Sequence, residues 1–149
     1  MKNLKNLIER HSLTPHPEGG FYKETYRSTH STGIFYLLEH GDTSKFHRIK
    51  SDEMWHFYEG DSLTVVEIEE DGSLKETILS PENVQYVVLA GKWFGAYVPD
   101  GSEYAFVGCT VAPAFNFKDF EIGNEDELLR NFPNAAEMIK KLKNGREDL

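Results

Sequence analysis

Between Gly19 and Pro113 the chain is a succession of short runs in which apolar and polar residues alternate, and each end carries a different, helical rhythm. Near the N-terminus Leu4, Leu7, Ile8 and His11 recur at three- and four-residue steps, which place side chains on one face of a helix. Pro15 and Pro17 end that pattern, because proline has no amide hydrogen to donate and its ring obstructs the preceding helical turn. Residues 21–28, 34–39, 45–49, 54–59, 63–69, 74–79, 85–90, 93–98 and 103–110 are rich in Tyr, Phe, Val, Ile and Thr and read as strands. Asp71-Gly72 between two of these runs reads as a hairpin turn, since both residues accept a positive φ. Many short strands at near-regular spacing predict a sandwich or closed antiparallel barrel rather than a parallel sheet.

The tail returns to helix. Residues 125–130 make a short one, and Asn134 is placed to cap a second in which Ala135, Met138, Ile139 and Leu142 form a stripe. Lys140, Lys141 and Lys143 fall at its C-terminal end, where the helix dipole favours cations. Both terminal helices, over about residues 2–12 and 125–144, are expected to pack on the outside of a barrel spanning about 19–123. No repeat, low-complexity tract or linker divides the chain, so a single domain over 1–149 is expected.

Composition narrows the partners. A chain of 149 residues, 39% hydrophobic, can bury a real core, and an aromatic share of 13% suggests a core or cavity lined by rings. Sixteen basic against 25 acidic residues give a net charge of −9, which would repel a phosphate backbone and argues against nucleic acid. Lys5, Glu9 and Arg10 interrupt the N-terminal apolar positions, and no apolar run is long enough to span a membrane. The lone Cys109 cannot form an internal disulfide and reads as a buried, inert thiol. A cytoplasmic protein without membrane association is the simplest expectation.

The chemistry concentrates between Gly41 and Gly60. His47, Ile49 and Glu53 are separated by even steps, so on an extended chain their side chains share one face, which points inward in a barrel, unless a turn around residues 50–52 shifts the register. A carboxylate beside an imidazole orients the ring and raises its basicity, a pairing suited to general base catalysis and equally to a purely structural contact. His56 lies three residues beyond Glu53, on the opposite face of a regular strand. The turn at 99–103 feeds a strand that brings Tyr104 to the barrel wall, as a proton donor across the cavity. Gln85 and Trp93 are expected along the cavity wall. Arg27 reads either as a surface charge or as a grip at the mouth for a carboxylate or phosphate. Glu18-Gly19-Gly20 reads as turn chemistry, its glycines permitting unusual φ.

These residues resemble the cupin superfamily. Gly41, His47, Glu53 and Gly60 match the spacing of the first cupin motif, with Ile49 where a second histidine stands. Pro99 and Gly101 match the second motif, with Tyr104 in place of its histidine. The segments PHPEGGFYKETYRS, FHRIKSDEMWHFYEG and GCTVAPAFNFKDFEI together resemble one family of small single-domain cupins of unassigned function. The resemblance implies a jelly-roll barrel (a double-stranded β-helix), a small-molecule cavity and a homodimer. Metal-binding cupins hold a divalent ion with three histidines and a glutamate, a set of which this chain keeps His47 and Glu53. Two donors rarely hold a transition metal, so none is expected, unless His56 supplies a third. Three functions follow: a metal-independent enzyme on a small polar or sugar-like substrate, like the dTDP-sugar 3,5-epimerases of similar barrel; a non-catalytic ligand-binding module; and a metal-dependent dioxygenase or isomerase.

Overall fold

A computed structural model describes residues 2–142. The strands are Thr14–Pro15 (β1), Phe21–Arg27 (β2), Thr32–Glu39 (β3), Thr43–Arg48 (β4), Asp52–Gly60 (β5) and Leu63–Ile68 (β6). They continue with Leu74–Leu79 (β7), Gln85–Val88 (β8), Trp93–Tyr97 (β9), Tyr104–Ala112 (β10) and Glu121–Ile122 (β11). One sheet runs β1-β2-β3-β10-β5-β8 and the other β11-β4-β9-β6-β7. Every strand pairing within the two sheets is antiparallel. This is the jelly-roll arrangement that the alternating pattern predicts. Sequence alone gives no sign of β1 and β11, because a two-residue ladder is too short to show a period.

Alternation decides what each strand buries. On β3, Ile34, Tyr36 and Leu38 point into the space between the sheets, while Phe35 and Leu37 point outward. On β10, Ala105, Val107 and Cys109 face the interior, where they meet Trp55 from the neighbouring β5 and Val65, Phe94 and Ala96 from the facing sheet. The outward apolar residues are covered from the chain ends. Helix α1 (Lys2–Arg10) lays Leu4 and Leu7 over Leu37 and Phe106. Burying a leucine of this kind stabilises by roughly 1.5–3 kcal/mol, so α1 is held mainly by this contact and not by its own nine residues.

At the other end α2 (Glu125–Asn131) is capped by Asn124, whose side chain accepts the Glu127 amide at 3.0 Å. Residues Pro133–Ala135 form a tight 3-10 turn before α3 (Ala136–Lys141). Asn134, expected to cap the last helix, therefore lies inside that turn; Pro133 starts it early, and the cap position falls to Ala135. Leu128, Ile139 and Leu142 cover Phe46, Val66 and Ile68 on the outer face of the second sheet. Lys143 lies outside the described residues. Among the described residues no helix is long and apolar enough to cross a membrane.

Candidate functional site

The loop joining β1 to β2 builds one side of the site. His16 donates its amide to Gly20 at 2.9 Å and Gly19 donates to His16 at 3.0 Å, closing a tight turn. The turn requires both glycines. Gly19 sits at φ +117°, and a Cβ there would come within 1.9 Å of the Thr43 carbonyl oxygen. Gly20 sits at φ +78° against Leu37 and Leu38. The Lys45 amide donates to the Glu18 carbonyl at 2.8 Å, and the Tyr36 hydroxyl donates to Gly19, so the turn is pinned against β4 and β3. Held this way, the side chains of His16 and Glu18 enter the barrel and are buried.

A bulge in β4 supplies the other side. Ser44 pairs with Ala96 and His47 with Phe94, so three steps on β4 face two on β9. The extra residue turns Phe46 outward to the C-terminal helices and His47 inward. His47 Nδ1 stands 2.7 Å from the Lys45 carbonyl oxygen and Nε2 stands 2.8 Å from Glu18 Oε2. A carbonyl and a carboxylate can only accept, so both ring nitrogens must donate and His47 is an imidazolium. Burial opposes that charge, but Glu18, its hydrogen bond and the nearby Glu53 raise the pKa above the ordinary histidine value. Burial likewise opposes ionisation of Glu18, but His47 and His16 outweigh it and bring Glu18 down to about 2.

His16 behaves oppositely. Its Nδ1 accepts the Glu18 amide at 3.1 Å, which fixes the proton on Nε2, and burial, aided by the His47 charge, lowers its pKa against the pull of Glu18. Glu53 reaches the same space from β5, 8% exposed. Burial first, and the Glu18 charge second, push it up to about 7, against the pull of His47 and a hydrogen bond from the Cys109 thiol. Burial and the two carboxylates push the Cys109 thiol well up, so it stays a neutral donor to Glu53. The floor thus holds one ionised carboxylate, one imidazolium, one neutral imidazole and one carboxyl able to change state near neutral pH.

The space above this floor encloses about 500 Å³, its open mouth included. Ile34, Ile49 and Val111 form apolar walls, and Tyr22, Phe115, Phe117 and Phe120 surround the opening. Phe115, Phe117 and Phe120 meet edge to face, with ring centroids 4.7–5.8 Å apart.

Of the residues singled out in the sequence, His47, Ile49 and Glu53 all line this cavity. The partner of His47 is nevertheless Glu18, read from sequence as part of a turn, and not Glu53. Tyr104 does not reach the cavity. It lies in the outward register of β10, opposite to Cys109, packs with Leu4, Leu7 and Phe106, and donates to Glu59 at 2.9 Å. Gln85 also stands elsewhere, on the outer face of the first sheet, 3.1 Å from His56 Nδ1. Trp93 lies outside the barrel under the Arg48 guanidinium, beside the C-terminal helices. His56 points away from Glu53 and pairs with Thr110 at 2.9 Å. Arg27 sits at the rim, where it donates to both oxygens of Glu24 (2.7 and 3.0 Å) and to the Phe115 carbonyl at 3.0 Å. The signal that could have found Glu18 and His16 is Pro15-His16-Pro17-Glu18-Gly19-Gly20, two polar residues spaced by prolines and stopped by glycines.

The metal set associated with this fold does not fit these residues. Ile49 and the outward Tyr104 remove two donor positions, and both nitrogens of His47 are committed to Lys45 and Glu18, leaving no lone pair for an ion. Among the described residues no group of three or more His, Cys, Asp or Glu is arranged to hold a metal.

Two antiparallel sheets, with the glycine-bounded His47–Glu53 segment on their inner faces, define a cupin-type barrel. The chain belongs to the family described as Cupin superfamily (DUF985), whose model matches residues 5–123. It is similar to the protein SO0799 from Shewanella oneidensis, with 35% identity, a TM-score of 0.89, and 98% of this chain and 99% of that one covered. A hypothetical protein from Leishmania major is 31% identical with a TM-score of 0.86, covering 96% and 98% of the two chains. Oxalate decarboxylase from Bacillus subtilis shares the fold alone, at 15% identity and a TM-score of 0.62, over 89% of this chain and 37% of that one. No curated protein matches.

Proposed function

We propose that the cavity carries out metal-independent proton transfer on a small polar, sugar-like substrate, an isomerase- or epimerase-type reaction. The observation that carries this reading is the separation of two buried carboxylates in one cavity, Glu18 down at about 2 and Glu53 up at about 7. Environments that drive two like groups apart assign them different roles. Glu18 stays ionised and balances His47. Glu53 exchanges a proton at neutral pH, which a general acid–base group requires. In this reading Glu53 takes a proton from a carbon next to a carbonyl, the electron pair moves onto the carbonyl oxygen, and the Nε2–H of His16 stabilises the charge that develops there. Glu53 then returns the proton to the same carbon from the other side of a turned intermediate, or to its neighbour.

The test is deuterium wash-in. A panel of small aldoses, ketoses, amino sugars and 2-keto acids is incubated with the protein in D2O and followed by proton NMR. Exchange at the carbon beside the carbonyl is expected with wild type and is lost in Glu53→Gln. Binding without exchange for every compound would instead make the protein a non-catalytic binding module.

A further inference from the structure

We infer that the ligand of this cavity carries a positively charged ammonium group, held by the carboxylates lining the site and by the phenylalanine faces at its mouth. The inference deepens the reading of this cavity as a substrate site and names the chemical class it takes. It rests on which charges in and around the cavity still have free valences. Of the basic groups in the lining, His47 has both N–H donors committed to Lys45 and Glu18, and His16 is held neutral by the amide donated to its Nδ1. The arginine beside the lining is paired as well: Arg27 with Glu24, and with the Phe115 carbonyl at 3.0 Å. A carboxylate or phosphate ligand would therefore find no uncommitted cation among the lining side chains, and would meet Glu18, Glu24 and Glu53 there.

Among the lining carboxylates Glu18 is committed to His47 and Glu24 to Arg27, but Glu53 is in the opposite condition. Glu53 lines the space and takes a hydrogen bond from the Cys109 thiol, and a carboxyl group has lone pairs for more than one donor. An ammonium group offers the donors such a carboxylate lacks, and its charge draws Glu53 into the ionised state. At the opening stand the rings of Phe115, Phe117 and Phe120, and an aromatic face attracts a cation more strongly as water is excluded. Glu24, itself in the lining, is half of the Glu24–Arg27 pair, so removing either partner changes the sign of the charge at the entrance.

The experiment titrates three probes of one chain length, butylammonium, 1-butanol and butyrate, into the protein and follows aromatic resonances by NMR. Butylammonium is expected to bind about tenfold more tightly than 1-butanol, with butyrate weakest, as a desolvated cation–π and carboxylate site requires. Two rim variants fix the cause. Glu24→Gln frees Arg27 and should weaken butylammonium while strengthening butyrate, and Arg27→Gln should do the reverse. Both residues are exposed, so neither change should unfold the protein, which thermal melting of each variant checks. Equal or tighter binding of 1-butanol or butyrate, or no resonance shift with butylammonium, overturns the proposal. Because this readout needs no turnover, an ammonium preference without deuterium wash-in would refute the catalytic reading and leave the ligand class standing.

Discussion

His47 and His56 stand nine positions apart in sequence, yet their surroundings make them chemically different groups. His47 lies on the inner face of the barrel, 2% exposed, with Glu18 at 2.8 Å, and carries a charge that burial alone would forbid. His56 lies half-buried on the outer face, between Thr110 and Gln85, and burial lowers its pKa with no carboxylate to oppose it. One region stores a buried ion pair and the other makes neutral hydrogen bonds at a wet surface. Such pairs differ in what their loss costs, because an orphaned buried charge has no water to fall back on.

Removing the partner should therefore separate the two regions sharply. Glu18→Gln leaves the His47 imidazolium unpaired and is expected to cost about 3–5 kcal/mol in urea unfolding. A loss below about 1 kcal/mol would mean that His47 is not charged in the folded protein. Glu53→Gln, measured at pH 5 where the carboxyl is already protonated in the fold, should change stability by less than about 1 kcal/mol. That contrast identifies Glu18, not Glu53, as the structural partner of His47.

The pH dependence of unfolding sharpens the contrast. Glu53 has a folded pKa of about 7, raised from 4.5, so the folded state holds its proton more tightly. The stability it contributes is complete below about pH 4.5 and falls as pH rises through about 7, by on the order of 3 kcal/mol. Glu18 has the opposite sign: its contribution is complete above about 4.5 and falls away as pH drops toward about 2. Wild type should thus be most stable in mildly acidic solution, and Glu53→Gln should flatten the decline between pH 5 and 7. An unchanged slope in that variant would assign the decline to another group.

Smaller effects belong to the outer regions. Tyr104→Phe removes the hydroxyl bond to Glu59 and should cost about 0.5–1.5 kcal/mol in urea unfolding while leaving probe binding in the cavity unchanged. Any loss of binding would contradict its outward register. His56→Gln at the solvent side should cost at most about 1 kcal/mol and leave metal content unaltered. Elemental analysis of protein purified without chelator is expected to find less than one equivalent of transition metal. A full equivalent released by His47→Ala would require the histidine to give up Glu18.

The barrel was legible in the residue pattern because strand alternation is a local property. The nine longer strands follow from period-two runs of β-branched and aromatic residues between turn residues, and the outward facing of His56 from its odd step after Glu53. His47, Ile49 and Glu53 do all line the cavity, but not as one extended face: His47 lies on β4 in one sheet and Glu53 on β5 in the other, with a turn between them. What alternation cannot express is which strand lies opposite which, and at what register. Glu18 meets His47 only because the loop between β1 and β2 packs on β4, and because a one-residue bulge rotates His47 toward it. Tyr104 carries the spacing of an inward motif residue, but the register of β10 turns it toward α1. Pairing and protonation in the cavity depend on distances between segments far apart in sequence, and a carboxyl acquires a pKa of about 2 or about 7 only from the charges and burial that those distances create.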